Sequence, residues 1–139
     1  MLVLDTDHLT ALDRGGMLGR RLQERLEPHH LEVCTTIVSV SEQLRGLLAH
    51  ISAARSDEQL LARYGRLNRK LDRLTEYRIL SWSVAAAERL GWLRRGGVRI
   101  GTMDLRIASI ALANDAIVLS RNVRDFEKIP DLRVADWLA

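Results

Sequence analysis

Asp5, Glu42, Asp104 and Asp125 are the residues whose type and placement point to chemistry. Asp5 ends the apolar run Met1-Leu2-Val3-Leu4, and Glu42 follows Ser39-Val40-Ser41. Asp104 opens the segment Gly101-Thr102-Met103-Asp104-Leu105-Arg106, and Asp125 comes shortly after Ile117-Val118-Leu119-Ser120. Carboxylates at the edges of core segments can converge in space although they are far apart in the chain. Once gathered they repel one another or take up protons, unless a cation joins them. An all-oxygen ligand set suits Mg²⁺ or Mn²⁺. The pattern therefore points to metal-dependent hydrolysis of a phosphodiester, with a metal-activated water as the attacking group.

Each acid also has a purely structural explanation. Asp5 is a favoured N-cap for a helix starting at Thr6. Ser39 with Glu42 three residues on matches a capping box. Asp104 suits the first turn of a helix capped by Thr102, and Asp125 suits a turn. The two explanations are compatible, because a helix N-terminus also favours the ionised carboxylate that a cation needs.

The elements that must position these acids are short apolar runs alternating with helical patterns. Strands are expected at Met1–Leu4, Glu32–Thr36, Arg78–Leu80 and Ile117–Leu119, with a last edge strand at Leu132–Val134. Helices are expected at Thr6–Leu12, Met17–Leu26, Ser39–Ile51, Ser56–Glu76, Val84–Arg95 and Thr102–Asn114. Ser56–Glu76 carries an apolar stripe through Leu60, Leu61, Tyr64, Leu67, Leu71 and Leu74, and forms a helical hairpin with the helix before it. Alternation of this kind gives an α/β fold with a mainly parallel sheet. Sites in such sheets form beyond the carboxyl ends of the strands, which is where Asp5 and Asp125 fall.

Length and composition narrow the classes. The chain has 139 residues, enough for one domain, 1–139, with one core. At 47% hydrophobic residues it can bury that core, and at 4% aromatics it lacks a ladder of base-stacking rings. Net charge is +3, and of 21 Lys and Arg only Lys70 and Lys128 are lysines. Arg grips phosphate bidentately, which suits a nucleic-acid partner; a genome-wide preference for Arg explains the count equally well. With Cys34 alone there is no internal disulfide and no thiolate zinc site. No signal segment or membrane-spanning run is visible, so a cytoplasmic location is expected. His8, His29, His30 and His50 lack metal-ligand helical spacing and read as solvated or capping residues.

Taken together, these motifs resemble VapC-like PIN-domain ribonucleases, the toxins of type II toxin–antitoxin pairs. The resemblance rests on Leu2-Val3-Leu4-Asp5-Thr6-Asp7, Ser39-Val40-Ser41-Glu42, Gly101 to Ala108, Leu119 to Phe126 and Ile129 to Trp137. It covers almost the whole chain in the family's order. It implies a three-layer α/β/α PIN-like domain, a Mg²⁺ or Mn²⁺ site, endonucleolytic cleavage of RNA and inhibition by a VapB-type antitoxin. By motif, Asp5 and Asp104 are the foremost ligands and catalytic residues, followed by Glu42. The fourth position is divided between Asn122, directly after the strand, and Asp125. Thr6, Arg106 and Arg121 are candidate RNA contacts, and Asp7 is expected to cap the following helix. The stripe on the long helix suits a homodimer. Two other readings stay open: a PIN-like module that binds RNA or protein without catalysis, and an aspartate-nucleophile phosphatase suggested by Asp5-Thr6-Asp7. Neither Lys70 nor Lys128 lies in a context suited to the lysine that the phosphatase would need.

Overall fold

The structure, a computed structural model, describes residues 1–139. Five strands form one sheet: β1 (Leu2–Leu4), β2 (Val33–Thr36), β3 (Arg78–Leu80), β4 (Ile117–Leu119) and β5 (Arg133–Ala135). Their order is β3-β2-β1-β4-β5, and every pairing is parallel. The helices between them are α1 (Thr6–Arg14), α2 (Gly16–Leu26), α3 (Ile37–Ser52), α4 (Asp57–Leu74), α5 (Val84–Arg95), α6 (Thr102–Ala113) and α7 (Val123–Phe126). A 3₁₀ turn at Glu27–His29 follows α2.

Side chains on a strand alternate between the two faces of the sheet, and these short strands sort their residues accordingly. Leu2, Leu4 and Leu119 pack with Leu9 and Leu12 of α1 and Leu22 and Leu26 of α2. Val3, Cys34 and Val118 face the other way, onto Leu90 and Leu93 of α5 and Ile107, Ala108 and Ile110 of α6. Two helical layers therefore sandwich the sheet. The α1–α2 layer is tight: Gly19 lies so close to the backbone carbonyl of Ala11 that a Cβ there would collide with it. No helix is long and apolar enough to cross a membrane.

Starting at β1, the chain steps out to β2 and β3 on one side and to β4 and β5 on the other. The direction of winding thus reverses between β1 and β4. Register pairs Leu4 with Leu119, so the next residues, Asp5 and Ser120, emerge side by side where the flanking connections diverge. Open parallel sheets bind ligands at such a point.

Several expectations need correction. α3 begins at Ile37 with Thr36 as its N-cap, whose side chain accepts the N–H of Ser39. β2 runs directly into the helix, so Ser39 and Glu42 form no capping box and the Glu42 carboxylate is left for other partners. α6 is entered through Gly101 without a side-chain cap, so Thr102 is not one. On α4 only Leu74 of the expected stripe is buried; Leu61 is 80% and Tyr64 55% exposed. The reason is that α4 lies against α1 and α3 with its polar side: Lys70 and Arg73 pair with Asp13, and Arg63 donates to the carbonyl of His50.

Candidate active site

Asp5 is the N-cap of α1 and is only 6% exposed. Its carboxylate accepts the N–H of Thr6 at 2.7 Å and the hydroxyl of Ser120, itself fully buried, at 2.7 Å. Burial pushes the Asp5 carboxyl up to about 6, and the neighbouring Asp7 and Asp104 add to the rise against those hydrogen bonds. Asp104, in the first turn of α6, is likewise raised by burial, with Asp125, Glu42 and Asp7 contributing. A pair of carboxyls held above their ordinary range is the electrostatic condition that a cation relieves.

Glu42 points from α3 towards α1, where the Thr6 hydroxyl lies 3.5 Å from its Oε2. Asn122 is the N-cap residue of α7, and its side-chain amide donates to Asp104 Oδ2 at 2.7 Å and to Asp125 Oδ2 at 3.1 Å. Asp125 is further out. The amide of Asn122 and the ammonium of Lys128 hold its carboxyl below the usual range.

Asp5, Thr6, Asp7, Glu42, Asp104, Arg14 and Arg121 share one cavity of about 680 Å³ at the carboxyl ends of the strands. The sequence candidates therefore divide. Asp5, Glu42, Asp104, Thr6 and Arg121 face this space, and Asn122 reaches Asp104 from its margin. Asp125 is joined to the group only through Asn122. Arg106 lies apart, its guanidinium against Met103 Sδ at 3.7 Å.

Asp7 and His8 correct the sequence reading. Asp7 does not cap α1; it sits within the first turn and faces the cavity. Burial works to raise its carboxyl, but hydrogen bonds from His8 and from the Arg121 N–H outweigh it and leave the group below its usual range. His8 is neither solvated nor capping. It is fully buried, with Nδ1 2.6 Å from Asp7 Oδ1, and Nε2 accepts the N–H of Trp137 at 3.2 Å. These bonds fix the tautomer with the proton on Nδ1. Ser120 was also missed. The signal available was register: two parallel three-residue apolar runs, each followed by a polar residue, place those polar residues together.

The donor set around the cavity is all oxygen, which fits a hard divalent cation rather than zinc or copper. No three His, Cys, Asp or Glu side chains close on a single point. Internal donors hold the lone pairs instead: Ser120 and Thr6 on Asp5, and Asn122 on both Asp104 and Asp125.

No protein-family model matches the sequence. Among curated proteins, the tRNA(fMet)-specific endonuclease VapC of Salmonella typhimurium is 26% identical over 120 residues, spanning 84% of this chain and 83% of that one. Ribonuclease VapC1 of Haemophilus influenzae is 42% identical over a shorter stretch of 45 residues, 32% of this chain and 34% of its own. In structure, a chain of the DNA-bound VapBC complex from Salmonella typhimurium superposes with a TM-score of 0.79 at 23% identity, covering 98% of this chain and 97% of that one. A chain of VapBC-1 from nontypeable Haemophilus influenzae gives 0.74 at 25% identity, covering 99% and 98%.

Proposed function

We propose that this chain, VapC-like in sequence and in fold, is the endoribonuclease toxin of a type II toxin–antitoxin pair and works with Mg²⁺ or Mn²⁺. The observation that carries this reading is the convergence of Asp5, Glu42 and Asp104 on one cavity where the sheet reverses its winding. The names of the relatives, an endonuclease and a ribonuclease, support it.

In this reading Asp5, Glu42 and Asp104 would hold the cation, and Asn122 and Asp125 would support it through Asp104. Bound there, the cation would lower the pKa of a water and offset charge developing on the scissile phosphate. The protein's own part is positional. Ser120 and the Thr6 N–H fix the Asp5 carboxylate, Asn122 fixes Asp104, and His8 with the Arg121 N–H fixes Asp7. Thr6 and Arg121 line the space that the substrate backbone would enter. A VapB-type antitoxin would cover the acidic cavity, and the exposed apolar residues of α4, among them Leu61, Tyr64 and Leu71, would serve a homodimer. The compartment of such a pair is the cytoplasm.

The decisive experiment is cleavage of total RNA by purified protein, with Mg²⁺ and with EDTA, alongside Asp104→Asn. Cleavage is expected only in the wild type with the cation. Undiminished cleavage in EDTA would overturn the metal mechanism. Intact RNA under every condition, with RNA still bound, would leave a binding module.

A further inference from the structure

A second cavity, about 660 Å³, lies between α1, α3 and α4. Its size is ordinary for a ligand site, but its lining is unusual. Arg14, Arg66, Arg69, Lys70 and Arg73 face it together with two acids, Asp13 and Glu42, and Leu47 is its one hydrophobic residue. Four of the cations come from α4 at positions 66, 69, 70 and 73, the spacing that aligns side chains on one face of a helix.

These cations divide by their partners. Lys70 is buried against Asp13, and Arg73 shares the same carboxylate; they brace α4 against α1. Arg14, Arg66 and Arg69 are exposed and pair with no carboxylate, although the cleft holds two. Both cavities share Thr6, Thr10, Arg14 and Glu42 as walls. One continuous track thus leads from the Asp5–Asp104 carboxylates to a row of free guanidinium groups.

We infer that this cleft binds the sugar–phosphate backbone of RNA to one side of the cleaved bond, with Arg14, Arg66 and Arg69 as the phosphate contacts. The inference rests on the ribonuclease reading above. A polyanion is repelled by Asp5, Glu42 and Asp104 where it is to be cut, so its affinity must come from elsewhere along the strand. Guanidinium groups meet phosphate oxygens bidentately and without regard to base. The cleft has no Phe, Tyr or Trp among its lining residues, and His50 is its single ring, so it offers mainly backbone attraction and no series of stacking platforms. An apolar helix from a protein partner would find only Leu47 to pack on.

The test is steady-state cleavage of a labelled single-stranded RNA by Arg66→Ala/Arg69→Ala, beside the wild type and Arg89→Ala/Arg95→Ala on α5 as a charge-matched control. Binding of the same RNA is measured across a salt series in an Asp104→Asn background. The double variant on α4 is expected to raise KM roughly tenfold with kcat at saturation changed less than twofold. The slope of log affinity against log salt should become shallower by about 1.4, or roughly 0.7 for each lost contact. The control pair should do neither. Unchanged KM and slope, with a wild type that cleaves, would overturn this inference and leave the ribonuclease reading standing. Unchanged RNA binding with lost capture of a co-expressed antitoxin would overturn it too, making the cleft a protein-docking surface. A wild type that cleaves no RNA would fail the ribonuclease reading itself.

Discussion

Replacing Asp5 by Asn is expected to stabilise the cation-free protein at neutral pH and to lose that effect in acid. Burial raises the Asp5 carboxyl from 3.8 to about 6. Because the folded value lies above the unfolded one, the group's favourable contribution is full below 3.8 and is lost as pH rises through about 6. Above that, the ionised carboxylate costs the fold ~3 kcal/mol, the free-energy equivalent of the rise. Asn carries no charge but cannot duplicate both bonds from Thr6 and Ser120, so the net gain should be about 1–2 kcal/mol. For a chain of this length that is a rise in Tm of roughly 3–8 °C. Urea denaturation in EDTA at pH 8 and pH 4 measures it directly. Adding Mg²⁺ at pH 8 should then raise wild-type stability by mass action and leave Asp5→Asn nearly unmoved. If Asp5→Asn is the less stable protein at pH 8, or if the difference between the two proteins is the same at both pH values, the account of Asp5 as a strained carboxylate is wrong.

Other outcomes follow from single contacts. Asp125→Asn should slow RNA cleavage strongly at low Mg²⁺ and recover in part at high Mg²⁺, because Asp125 reaches the cavity only through Asn122; an Mg²⁺ titration of the rate, with Asp104→Asn as the variant that does not recover, decides it. His8→Ala should cost ~2–4 kcal/mol in urea, since it opens a fully buried site and strands the acceptor on Asp7 and the N–H of Trp137; a loss below 0.5 kcal/mol, about the scale of an ordinary surface substitution, would show those bonds to be idle. Gly19→Ala should destabilise by ~1–3 kcal/mol, because the added methyl meets the Ala11 carbonyl and forces α2 away from α1; an unchanged denaturation midpoint would refute that packing.

The alternation of apolar runs with helices made the α/β class and most element positions legible. A three-residue strand between helices can hardly be buried in any other way, and Val84–Arg95 lies where its pattern places it. Two kinds of feature were harder to read. One was the exact entry to helices, since Thr36 caps α3 from the end of a strand and leaves no loop to mark the boundary. The other was partnership across long separations. The stripe on α4 has helical spacing, yet α4 is packed through Lys70, Arg73 and Arg63, whose partners are distant in the chain. His8 looked like a surface residue because, although Asp7 is its neighbour in sequence, the Trp137 N–H that closes the other side of its ring comes from the far end of the chain. Among the site residues, Asp5 and Asp104 were visible by their place after a strand and at the start of a helix. Ser120 and Asp7 required the register of β1 against β4.

The amide of Asn122 lies between two carboxylates and gives a hydrogen to each. A neutral amide thus ties Asp104 to Asp125. A cation held there, as proposed, would have to compete with this tethered rival, whose effective concentration never falls. Its uptake would be an exchange, in which the two amide hydrogen bonds are surrendered as others form. A site built this way would need more cation for half-occupancy than bare carboxylates would. The same amide also offsets the repulsion between the two carboxylates it joins.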